Sequence, residues 1–86
     1  MPEICRFLGI VITMYFNDHN PPHFHVRYEE HRALIGIEPL DVREGYLPPR
    51  VLGLVMEWGE LHRDELLENW TSLAEGGIFR RIAPLV

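Results

Sequence analysis

Two proline pairs, Pro21-Pro22 and Pro48-Pro49, set the strongest limits on how this chain folds. Proline has no amide hydrogen and a locked φ, so a consecutive pair is excluded from a helix interior and from a central strand. The pairs divide the chain into three stretches that must each complete their own secondary structure. In the first, "ICRFLGIVITMYF" is rich in β-branched and aromatic residues and predicts one or two strands broken near Gly9. In the second, "HFHVRY" alternates polar with apolar and predicts a strand. "EEHR" then predicts a short hairpin turn, "ALIGIEPL" the returning strand ending at Pro39, and "DVREGYL" an edge strand before a turn at Gly45. In the third, proline suits a first helical turn, so one helix is expected from about Pro49 to about Ala74, stopped at Gly76-Gly77.

These elements predict an α+β fold: a small antiparallel sheet of three to five strands packed on one long C-terminal helix. The 86 residues form a single domain with no room for a second core. The apolar tail "IFRRIAPLV" is expected to dock on it. At 100° per residue, Val51, Val55, Trp58, His62, Leu66, Asn69 and Leu73 share one helix face, flanked by Leu54 and Leu61, and this is the expected core stripe. A histidine on that stripe is read first as a core residue hydrogen-bonded to Glu65 or Asn69. Leu52, Met56, Leu67 and Trp70 form a second apolar stripe, expected to stay partly exposed and to meet the tail, a small protein partner or a second copy. Glu57, Glu60, Asp64 and Glu68 make the solvated face.

The net charge of −5 opposes generic affinity for phosphate backbones. All 8 basic residues are arginines, which we read as composition before function. The lone Cys5 excludes an internal disulfide and suits a reducing cytoplasm. The apolar run Phe7 to Phe16 is far short of the ~20 residues that span a bilayer, so no membrane association is expected.

The chemistry concentrates in "NDHNPPHFHVRYE", Asn17 to Glu29, which carries His19, His23 and His25. Strand alternation puts His23, His25, Arg27 and Glu29 on one face and Phe24, Val26 and Tyr28 on the other, toward the helix. Solvent access is therefore expected for both His23 and His25. Three uses are open to these residues. One is metal-free RNA cleavage, with His19, His23 or His25 transferring protons, Arg27 holding the phosphate, and no cofactor; Asp18 joins this set and His62 is the second choice. The second is a divalent metal site at His23, His25 and Glu29. The third is structural, with Asn17 and Asp18 capping backbone amides and the prolines fixing the strand entry. The string His23-x-His25-x3-Glu29-x6-Gly36 is similar to part of a cupin motif, but no upstream glycine and no second motif accompany it.

Taken together, "MPEICRFLGIVITMYFNDHNPPHFHVRY", "EGYLPPR", "EWGELHRDELLENW" and "RRIAPLV" resemble the bacterial "domain of unknown function" family numbered forty-one sixty, over nearly the entire chain. The resemblance implies patterned positions at Asn17, Asp18, His19, Pro21, Pro22, His23, His25, Trp58, His62, Arg63, Glu65 and Trp70. It also implies a gene arrangement like a toxin–antitoxin pair, hence a small protein partner. The expectation is a component of such a two-gene module, as the effector acting on RNA. The alternatives are a non-catalytic interaction domain and a small metal-binding protein.

Overall fold

The computed structural model describes residues 2–16 and 18–86, so the expected amide cap by Asn17 lies outside the described residues. Five strands, β1 (Glu3–Phe7), β2 (Ile10–Thr13), β3 (His23–Tyr28), β4 (His31–Ile37) and β5 (Leu40–Gly45), form one antiparallel sheet in chain order. The break expected at Gly9 is a tight turn in which Leu8 (φ 52) and Gly9 (φ 79) both take positive φ. Such a turn matches the twist of the strands it joins, and glycine adopts it without steric cost.

Two helices, α1 (Pro49–Leu61) and α2 (Arg63–Glu75), replace the single long helix expected. The break is at His62, where φ −117 and ψ 25 leave the helical region. A straight helix from Pro49 to Glu75 would be about 40 Å long at 1.5 Å per residue. The longest dimension of the molecule is 34 Å. An unbroken rod would thus exceed the molecule's longest dimension, and with the break both halves bury apolar residues in the core.

The predicted stripe does become the core. Val51, Val55, Trp58, Leu66, Asn69 and Leu73 are all buried. They meet Ile4, Phe7, Ile10, Ile12, Phe24, Val26, Ile35 and Ile37 from one face of the sheet. Trp58 lies at the centre, its ring 6.3 Å from that of Phe7 and 5.8 Å from that of Phe24. One member of the stripe and one flanking residue depart from expectation, both at the break: His62 is only half-buried and Leu61 is 67% exposed. Gly59 is buried because a Cβ there would stand 2.9 Å from Leu40 of β5, so glycine allows α1 to approach the sheet edge.

The tail docks along β1 and α2. The Ile82 amide donates to the Ile4 carbonyl, and the Trp58 indole N–H to the Ala83 carbonyl. Asn69 clamps Arg80 with a reciprocal pair, its amide donating to the Arg80 carbonyl while its Oδ1 accepts from the Arg80 N–H. Leu52, Met56, Leu67 and Trp70 stay half-buried beside the core, and Phe79 and Ile82 approach the stripe from the Leu67 side. Among the described residues no helix is long and apolar enough to cross a membrane.

Candidate functional site

Pairing register decides what the helix-free face of the sheet displays. Ile10↔Tyr28, Ile12↔Val26, Phe24↔Ile35 and Val26↔Ala33 point toward the helices. The alternate pairs Thr13↔His25, Val11↔Arg27, His25↔Leu34 and Arg27↔Arg32 therefore point away from them. On this face Val11 and Thr13 are each only 8% exposed. Their neighbours rise around them to form a trough of about 500 Å³, lined by side chains that include Arg6, Tyr15, His25, Arg27, Arg32 and Glu44.

Arginines dominate the charge in this trough. Arg6 is neutralised by a 2.7 Å ion pair with Glu3. That pair, joined by Arg81, holds the Glu3 carboxyl well below its usual range, at about 2: hydrogen bonds from Arg6 and then Arg81 outweigh the cost of desolvation. Arg27 and Arg32 stand directly opposite each other on adjacent strands, both exposed, and among the described residues neither has an ion-pair partner. Like charges in directly opposed positions destabilise a sheet, so an anion between them would relieve a built-in repulsion. The acids that produce the net negative charge lie largely elsewhere, with Glu57, Glu60, Asp64 and Glu68 all exposed on the helices.

At one end of the trough the bend folds back on β3. Asp18 Oδ2 lies 2.8 Å from His23 Nε2 and 3.0 Å from His25 Nε2, and the two imidazole rings are 5.2 Å apart. Asp18 Oδ1 accepts from the His19 backbone N–H, so the expected capping role of Asp18 is realised alongside this. Burial alone would raise the Asp18 carboxyl. Hydrogen bonds from His25 and the His19 amide, with the charge and hydrogen bond of His23, outweigh it and hold the carboxyl below its ordinary value. His23 Nδ1 is fixed by the Pro21 carbonyl at 2.9 Å, an acceptor that the proline pair puts within reach. Tyr15 meets His25 edge-on with ring centroids 4.5 Å apart.

The expected site residues are thus sorted by position. Asp18, His23 and His25 come together, and Arg27 follows on the same face. His23 is not the surface residue expected: it is 6% exposed, with the Trp70 ring of α2 5.0 Å from its own. Trp70 also donates from its indole N–H to Asn20 Oδ1, so this member of the second stripe covers the bend. Pro21 and Asp18 hold the two ring nitrogens of His23, so neither stands free on the sheet surface as expected. Glu29 does not join the cluster. It follows the far end of β3 in an exposed turn at φ 54, whereas His23 begins that strand. His19 is exposed and contributes only its backbone to Asp18. His62 is remote in role: it pairs with Glu65, as expected, and lies against Trp58. Arg32 and Tyr15 were missed by sequence reasoning. A strand's face is readable from alternation, but its partner across the sheet is not.

Asp18, His23 and His25 are the one group among the described residues with metal-ligand chemistry in reach, their ligand atoms all within 4.8 Å of one another. The arrangement can move a proton, through His25 with Asp18 orienting it, or hold a cation.

Residues 9–71 match the family described as Domain of unknown function (DUF4160), and the chain belongs to that family. The match runs from the β1–β2 turn into α2, so it takes in the bend, Trp58, His62 and Trp70. No curated protein and no solved structure matches the chain.

Proposed function

We propose that this member of the family is the effector of a two-gene, toxin–antitoxin-like module and that it acts on single-stranded RNA. The observation that carries the reading is the position of the Asp18–His23–His25 cluster at the end of a trough bearing two unpaired, directly opposed arginines. In β3, residues two apart are roughly 6–7 Å apart along one face. His25 and Arg27 therefore sit in line beneath an extended backbone, one at the reacting phosphate and the other, with Arg32, at its neighbour. Arginine's fork suits that anchoring. The reaction is transesterification. The ribose 2′-oxygen bonds to the adjacent phosphorus, its proton passes to the His25–Asp18 pair, and the bond from phosphorus to the 5′-oxygen breaks as that oxygen takes a proton from solvent water. Charge developing on the phosphate is met by Arg27. The half-buried stripe of Leu52, Met56 and Leu67 is the surface for the small protein partner or for a second copy.

The test is incubation of the purified chain with end-labelled single-stranded RNA and with DNA of the same sequence. Cleavage of RNA alone, leaving a cyclic phosphate, is expected. His25→Ala and Asp18→Asn should abolish it, and Arg27→Ala and Arg32→Ala should weaken binding. Intact RNA under all conditions, together with harmless expression in the absence of the neighbouring gene, would replace this reading with that of a non-catalytic interaction domain.

A further inference from the structure

The geometry points to a divalent transition-metal ion held by Asp18 Oδ2, His23 Nε2 and His25 Nε2. His23 Nδ1 lies 2.9 Å from the Pro21 carbonyl, which can only accept, so Nδ1 carries a hydrogen. In a neutral ring Nε2 is then a bare lone pair, and it faces a carboxylate oxygen at 2.8 Å. Two lone pairs at that distance require a positive charge between them, either a proton on His23 or a metal ion. A second imidazole nitrogen approaches the same oxygen at 3.0 Å. The oxygen could accept a hydrogen bond from each ring only with His23 doubly protonated, whereas a single metal ion satisfies all three atoms with His23 neutral.

The spacing agrees. With metal–ligand bonds of about 2.1 Å, neighbouring ligand atoms stand about 3.0 Å apart around an octahedral ion and about 3.4 Å apart around a tetrahedral one. Imidazole with carboxylate is the donor set of zinc, iron and nickel sites. The surroundings agree as well. A metal-bound histidine ordinarily donates its other ring N–H to a carbonyl or carboxylate, which fixes its tautomer and orientation. Pro21 does this for His23, and the Trp70 ring beside His23 restricts water on that side. His25 is the ligand that lines the trough, and Arg27 lines the same trough. Relative to the expected metal set, the carboxylate moves from Glu29 to Asp18.

Ion binding stands on this geometry alone. That the ion would activate the attacking hydroxyl, whose proton then leaves to solvent water because the cluster atoms are occupied as ligands, rests on the RNA reading above, and the experiment separates the two. The chain, stripped with chelator, is titrated calorimetrically with Zn²⁺, and with Co²⁺ while its visible absorption is followed. One ion per chain is expected, with loss of affinity exceeding about a hundredfold in His25→Ala and Asp18→Asn, beyond the 10–100-fold typical of outer-sphere changes. Glu29→Ala and His62→Ala should bind like the unmodified chain. His25 and Asp18 are partly exposed, so these variants should fold even if His23→Ala does not, and thermal melts confirm it. Absence of saturable binding, or binding that survives His25→Ala, overturns the site. RNA cleavage undiminished in chelator would overturn the ion's role in the reaction while leaving the functional reading intact. Stoichiometric binding without RNA cleavage would keep the site and remove the effector reading.

Discussion

Replacing Arg32 by glutamate should make this protein more stable and less able to hold RNA. Arg27 and Arg32 are directly opposed across the β3–β4 ladder, and both are exposed. Directly opposed side chains on one face contribute roughly 0.2–1 kcal/mol, with like charges unfavourable. Arg32→Glu removes that repulsion and supplies an attraction in its place, for a combined gain of about 0.5–1.5 kcal/mol, and Arg32→Gln should recover roughly half of it. In a domain of this size 1 kcal/mol moves the melting midpoint by roughly 4–8 °C, so a rise of about 2–12 °C is expected for the glutamate variant. The assay is a thermal melt at low ionic strength, repeated near 1 M salt. There the screening length falls to about 3 Å, and most of the gain should disappear. The same variant should bind single-stranded RNA more weakly, with a salt dependence shallower by about 0.7 in log–log slope for each phosphate that is no longer neutralised. Unchanged stability at low salt, or stabilisation with RNA affinity intact, would show that the opposed arginines are not an anion site held ready at a cost in stability.

Asn69→Leu should release the tail, because both hydrogen bonds to Arg80 go at once. A loss of about 1–3 kcal/mol is expected, together with faster tryptic cutting at Arg80 and Arg81; unchanged cutting would show that the clamp is dispensable. Gly53→Ala should stabilise by about 0.5–1 kcal/mol, since a Cβ there meets nothing within 4 Å and alanine favours the helix; a lowered melting midpoint would contradict this. Glu3 has a depressed carboxyl in the folded chain, so its contribution is fully present above its ordinary value of 4.5 and is lost as pH falls toward about 2. The difference in melting midpoint between the unmodified chain and Glu3→Gln should accordingly be constant above pH 4.5 and close between there and about 2. A gap that stays open at the acid end would mean the pairing with Arg6 and Arg81 is not what shifts it.

What the chain determines by itself is which way each residue faces. Period-two alternation placed Phe24 and Val26 inward and His25 and Arg27 outward, and the 3.6-residue period placed Val55, Trp58, Leu66 and Leu73 on the core, as found. These signals are legible because burial repeats with the local geometry of the element. Convergence does not, since it depends on register, on how turns close and on the size of the sheet. Glu29 has the parity of His25, but the strand ends at Tyr28 and Glu29 turns away, while Asp18 is carried back onto both imidazoles by the bend. His23 has the parity of a surface residue, but Trp70, distant in sequence, covers it. Arg32 became a candidate only when β4 was set against β3, and the helix breaks at His62 in a molecule whose longest dimension, 34 Å, is less than an unbroken helix would need. Local periodicity determined the faces; only the closed tertiary structure decided which side chains on them meet.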